Sequence, residues 1–177
     1  DIGVRSHGGD IRIEGSEVGY YNSTGEFTNG GANIFIDTLN SDVNGTVRLT
    51  DSTLRAESIS TAVRGPEGQL LINGSTLSAA ATLDLYASGS DGIIRFTGDS
   101  TLGSSSASKN ISAKTVRIDP SVNVQVIGAG SNLGVAVDNK EYSEDATVRS
   151  CGSSDCGYFV DGTNAPIPVN ATSFSTN

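Results

Sequence analysis

Between residues 45 and 102 the chain writes nearly the same segment three times: GTVRLTDSTL (45–54), GQLLINGSTL (68–77) and GIIRFTGDSTL (92–102). Segments that recur in register must occupy equivalent places, and places repeat at this period when successive turns of chain stack. DIRIEGSEV (10–18) and TVRIDPSVNV (115–124) are fainter copies. Each copy carries an apolar pair: Ile11/Ile13, Val47/Leu49, Leu70/Ile72, Ile94/Phe96 and Val116/Ile118. The first members lie 36, 23, 24 and 22 residues apart. Three steps near 23 measure one solenoid turn. The longer first step is explained by GYYNSTGEFTNGGA (19–32), rich in Gly and Asn and read as a loop insertion.

Within each turn the apolar residues alternate with polar ones, the period of a strand with one side in and one side out. Gly, Asn and Asp between the alternations supply turns. No stretch shows the three-and-four spacing of an amphipathic helix. The reading is all-β: a parallel β-helix of about 22–24 residues per turn, with three strands per turn stacked at roughly 4.8 Å. Such a fold needs only two or three inward apolar side chains per face per turn. That accommodates a chain with 36% hydrophobic and 6% aromatic residues. An antiparallel β-sandwich also spaces strands every 8–12 residues or so, but it has no reason to repeat one motif in register. The solenoid is expected over residues 1–128, and residues 129–177 as an irregular C-terminal tail or cap.

The net charge of −9 argues against nucleic-acid binding, which needs a basic footprint. No stretch approaches the roughly 20 apolar residues of a membrane helix, so membrane insertion is not expected. Cys151 and Cys156 lie in CGSSDC, with no second Cys/His pair to complete a zinc site. A local disulfide, and with it an oxidising extracytoplasmic setting, is the expectation. The chain starts at Asp1 with no signal peptide and contains no Met, which reads as a processed product or fragment.

GTVRLTDSTLRA, GQLLINGSTLSA and LDLYASGSDGIIRFTGDSTL resemble repeats of secreted bacterial β-helix surface proteins of the filamentous-haemagglutinin and autotransporter-adhesin type. The nearest likeness is to very large repeat-bearing surface proteins that carry FecR-like domains. ISAKTVRIDPSVNVQVIG (111–128) is similar to their last turns. The resemblance covers about residues 1–128. It implies a right-handed helix, secretion to the cell surface or beyond, and a structural or adhesive role. This chain is much shorter than typical members, and its tail carries the CGSSDC element.

Several side chains are candidates for more than shape. The outward position between the paired anchors reads Arg12, Arg48, Leu71, Arg95, Arg117. Stacking would align these into a basic ladder able to meet anionic glycans or another subunit. Alternatively their stems cover the sheet while Glu14 and Asp119 neutralise them. The row Ser16, Ser52, Ser75, Ser100 and Ser121 is expected at a corner, satisfying backbone groups of the adjacent turn. His7, the one histidine, lies in the SHGG turn near the N-terminus and reads as an exposed turn residue, so no catalytic triad is expected. Polysaccharide lyases and hydrolases of this fold need clustered carboxylates or bound Ca²⁺, whereas the aspartates here fall mostly at turns. GSDG (89–92) and DNKEYSED (138–145) are acidic enough to suggest calcium but match no specific loop, and no cofactor is expected. N-x-S/T triplets begin at Asn22, Asn44, Asn73, Asn110 and Asn170; in a chain this rich in Asn, Ser and Thr, chance produces many.

The insertion is the natural place for added binding function, with Tyr20, Tyr21, Asn22, Glu26 and Phe27 as its candidate contacts. The N-terminus shows no capping segment, so either more turns precede Asp1 or another copy docks there; the second would give a head-to-tail homopolymer through exposed solenoid ends. Together these readings predict a secreted, non-enzymatic surface protein: an adhesin or stalk segment, or a filament subunit. A carbohydrate-binding or polysaccharide-cleaving β-helix is the alternative.

Overall fold

The computed structural model describes residues 1–28, 31–103, 107–127, 133–140 and 158–161. In chain order the strands are β1 (Ile2–Ser6), β2 (Ile11–Glu14), β3 (Glu17–Tyr21), β4 (Phe27–Thr28) and β5 (Asn33–Thr38). They continue as β6 (Thr46–Thr50), β7 (Thr53–Val63), β8 (Gln69–Asn73), β9 (Thr76–Ala87) and β10 (Ile93–Phe96). The last are β11 (Ser100–Leu102), β12 (Ser108–Ile118), β13 (Asn123–Val126), β14 (Leu133–Lys140) and β15 (Tyr158–Asp161). No helix occurs among the described residues. Every ladder among them is parallel except β3–β4.

The parallel ladders form three faces of a β-solenoid. The first stacks β2, β6, β8, β10 and the end of β12. The second stacks β3, the starts of β7 and β9, β11, β13 and β15. The third stacks β1, β5, the ends of β7 and β9, the start of β12, and β14. β7 and β9 each run round one corner without a break; the register shift between Ala56 and Ser58 makes the bend. Beyond residue 128, β14 and β15 add to the third and second faces.

The repeat anchors stack as their spacing requires. Ile11, Val47, Leu70, Ile94 and Val116 are register partners in succession, and so are Ile13, Leu49, Ile72, Phe96 and Ile118. All ten are buried. Val18, Leu54 and Leu77 form the corresponding row on the second face, and Leu102 and Val126 continue it. Burying one such side chain contributes about 1.5–3 kcal/mol. Identical rows let each turn supply that burial from the same few positions.

The polar part of the motif has an equally local cause. The residue before Ser16, Ser52 and Ser75 turns the chain with a left-handed backbone: Gly15 (φ 54), Asp51 (φ 47) and Gly74 (φ 57). Gly and, less readily, Asp tolerate that conformation, which is why the motif alternates between them. The serine that follows turns its hydroxyl back into the corner. Ser16, Ser52, Ser75 and Ser100 each donate Oγ–H to the carbonyl two residues earlier, at 2.7–2.9 Å. The same oxygens of Ser52, Ser75 and Ser100 accept the backbone N–H of Ser16, Ser52 and Ser75, at 3.2, 3.2 and 3.3 Å. The ladder thus runs one way, from each turn's N–H to the next turn's hydroxyl. It ends at Ser100, whose register partner in the following turn is Val124. Ser121, expected as a fifth rung, instead occupies an exposed turn with φ 62.

The third face holds three exceptions to the apolar rule among the described residues: Thr38, whose hydroxyl oxygen accepts the Arg64 N–H at 2.8 Å, Thr61 and Lys109. Thr61 follows Ile36 in register and is fully buried, its hydroxyl directed at the Asp84 carbonyl. Lys109 occupies the row of Ile2, Ile34, Ile59 and Leu83 and is also buried. Its amine donates to the Ala107 carbonyl. Gly103 (φ 78) makes room for its stem: a Cβ there would lie 2.7 Å from Lys109 Cδ. Burial pushes the Lys109 pKa down, because the protonated form has lost water.

Candidate functional site

The 19–32 segment contains an antiparallel hairpin. β3 begins as a solenoid strand paired with β7, then leaves the wall to pair with β4 through Tyr20–Thr28 and Tyr21–Phe27. Its turn is organised by one side chain. Asn22 Oδ1 accepts from the Thr24 N–H (3.0 Å), the Thr24 hydroxyl (2.7 Å) and the Glu26 N–H (2.8 Å). Asn22 Nδ2 donates to Glu26 Oε2 at 3.0 Å, and Gly25 supplies the positive φ of 79°.

The hairpin carries its own aromatic stack. Glu17, Gly19 and Tyr21 share one side of β3, by strand alternation. Gly19 leaves a slot: a Cβ there would sit 2.3 Å from Phe27 Cε2 and 2.3 Å from the Arg55 carbonyl oxygen. The Phe27 ring fills the slot. Tyr21 lies across that ring, with centroids 5.0 Å apart and planes 20° from parallel, and donates its hydroxyl to Glu17 Oε2 at 3.1 Å. The Glu17 carboxylate, by accepting that proton, raises the Tyr21 pKa. The Arg55 guanidinium lies 5.0 Å from the Phe27 centroid, and its Nη1 reaches the Phe27 carbonyl at 3.4 Å. Tyr21 is held at both its ring and its hydroxyl, yet it remains 48% exposed. Tyr20, on the other side of the strand, is 42% exposed and packs beside Gly31.

All five residues expected in the insertion, Tyr20, Tyr21, Asn22, Glu26 and Phe27, therefore meet in this hairpin. Phe27 is the half-buried support, Tyr21 the outer surface, and Asn22 with Glu26 the turn. Glu17, Gly19 and Arg55 were not anticipated. Arg55 had a visible signal: the longer first step of 36 residues aligns it with Gly19, its register partner.

The arginine row is formed in space. Arg12, Arg48, Leu71, Arg95 and Arg117 are successive register partners on the outer side of the first face. Its two ends differ. Asp119 takes a bidentate pair from Arg95 at 2.9 and 2.7 Å, and Arg117 Nε approaches it at 3.5 Å. That end is a compensated cluster. Arg12 and Arg48 stand beyond the Leu71 gap, with no ion pair to either among the described residues. On the third face Arg64 and Asp37 form a second bidentate pair, at 3.0 and 3.1 Å, which raises the Arg64 pKa.

Cys151 and Cys156 lie outside the described residues, as does most of DNKEYSED. Among the described residues no three His, Cys, Asp or Glu side chains group into a metal site, and no helix is long and apolar enough to cross a membrane. No family model, curated protein or solved structure matches the chain.

Proposed function

We propose that the chain is a structural surface module: a stiff β-solenoid whose role is to hold the 17–28 hairpin at a fixed place for contact with another surface. The supporting observation is the construction of the hairpin. A segment inserted only to be tolerated needs no aromatic stack, no dedicated glycine slot and no anchoring arginine from the wall. Here Gly19, Phe27, Tyr21 and Arg55 fix an exposed ring to a rigid support. Rigid aromatic presentation lowers the ordering cost of binding. The role is non-enzymatic, of the adhesin or stalk kind, in an extracellular or cell-surface setting. The test is adhesion of particles coated with the chain to bacterial and host-cell surfaces, beside a variant in which a two-residue Asn-Gly turn replaces residues 20–28. The reading predicts that the variant folds and ceases to adhere. Equal adhesion by both would sink it.

A further inference from the structure

We propose that the outer face of Tyr21 is a sugar-binding platform, and that its ligand is the pyranose ring of an uncharged polysaccharide. The proposal rests on the reading of the hairpin as the contact element and names what that element takes.

Three features of the hairpin define the ligand. First, the phenol of Tyr21 is stacked on one face against Phe27 while the residue remains 48% exposed, so the other ring face is offered to solvent. A rigid flat apolar face recognises a flat apolar face, and the C–H face of a pyranose is the one that hydroxyl-rich polymers present. Second, the ring's edge carries a hydrogen-bonding group already fixed in place: Glu17 Oε2 holds the Tyr21 hydroxyl at 3.1 Å. That carboxylate retains its second oxygen, an acceptor suited to sugar hydroxyl donors. The phenol oxygen, having donated its own proton, can accept one. Third, the charged group bonded to the ring's hydroxyl is a carboxylate, Glu17, on a chain of net charge −9, while the Arg55 guanidinium behind the stack is taken up by the ring and carbonyl of Phe27; this setting disfavours sulfated or carboxylated glycans. The arginines Arg12 and Arg48, which would attract such glycans, lie on a different face of the solenoid from β3.

A protein partner would also use an exposed tyrosine. The hairpin favours a sugar because the group fixed at the ring's edge, Glu17, is a carboxylate acceptor suited to hydroxyl chemistry. One ring stacked on one tyrosine is a weak contact, so many chains on one polymer or particle would act together.

The experiment is affinity electrophoresis and glycan-array binding with dextran, mannan and a soluble β-glucan as uncharged probes. Heparin and polygalacturonate serve as anionic probes, chitosan oligomers as cationic ones. The proposal predicts binding to at least one uncharged polysaccharide. Tyr21→Ala and Tyr21→Leu should weaken it at least tenfold, and Tyr21→Trp, with a larger flat face, should keep or improve it. The tryptophan variant separates loss of the ring from loss of the hairpin's fold. No binding to any uncharged probe, binding to charged probes alone, or binding that survives both Tyr21→Ala and Tyr21→Leu would overturn the proposal. Adhesion of coated particles, measured on the same preparations, keeps the two readings apart. Particles that adhere through the hairpin while every uncharged glycan fails would refute the ligand class and leave the presenting role intact.

Discussion

The serine corner and the aromatic hairpin solve the same problem in opposite ways. Each is a place where the chain leaves a strand and must satisfy polar groups. At the corner, satisfaction comes from the neighbouring turn: the N–H of Ser52 depends on Ser75, and that of Ser75 on Ser100. In the hairpin it comes from within nine residues, through Asn22, Thr24 and Glu26. The corner is therefore tied to the solenoid's stability, and the hairpin is nearly independent of it. A repeat fold acquires a site most cheaply where its own rows end and a self-contained unit begins.

Matched substitutions should break the comparison most sharply. Phe96 and Phe27 are both support rings. Phe96 is fully buried, with an edge-on contact to Phe159 at 5.9 Å, and sits in a core row. Phe96→Ala should cost about 3–5 kcal/mol in denaturant unfolding. Phe27→Ala should cost less than about 1 kcal/mol globally while abolishing the Tyr21 stack, read by near-ultraviolet circular dichroism. Similar global losses would mean the hairpin is part of the core.

The serines give a finer contrast. Ser75→Ala removes the acceptor of a buried N–H and should cost about 1–3 kcal/mol. Ser121→Ala, in an exposed turn, should change stability by less than about 0.5 kcal/mol. Equal effects would show that the ladder bonds carry no stability.

Lys109 offers a third, pH-dependent probe. Its folded pKa is depressed, so between the folded and unfolded values the unfolded chain binds more protons. The Lys109 contribution to stability therefore rises as pH climbs from the folded pKa toward the ordinary lysine value. Lys109→Met should raise stability at neutral pH, on the order of 1 kcal/mol, and remove that alkaline rise. An unchanged pH profile in the variant would assign the rise to other groups.

The smallest effect belongs to the arginine row. Asp119→Asn should alter stability by less than about 1 kcal/mol, because the pair with Arg95 is partly exposed. It should strengthen retention on a heparin column, by removing one negative charge beside Arg95 and Arg117. Unchanged retention would mean the row does not act as one surface.

The sequence carried the regular part of this molecule openly. Ile11 to Val116 could be aligned because each residue repeats the chemistry of the one it stacks on, and Ser16 to Ser100 for the same reason. The reading failed where stacking stops. Ser121 keeps the spacing but not the register, since the chain after Ile118 takes a different turn and offers Val124 instead. Lys109 was invisible because nothing local marks an inward position as charged; its row is defined by residues 24 and more positions away. Within the hairpin, the residue types were legible but the stack was not. Gly19 reads as a turn residue, and only the closeness of Phe27 and Arg55 explains it.

Native-state hydrogen exchange tests most directly the claim that a cooperative rod carries an independent hairpin. The Ser52 and Thr76 amides, bonded within the stack, should exchange only through global unfolding, with denaturant dependence matching it. The Asn22, Gly25 and Glu26 amides should exchange through local opening, several kcal/mol lower and insensitive to denaturant. Equal protection and equal denaturant dependence in both groups would contradict the account, because the hairpin would then be one more rung of the rod.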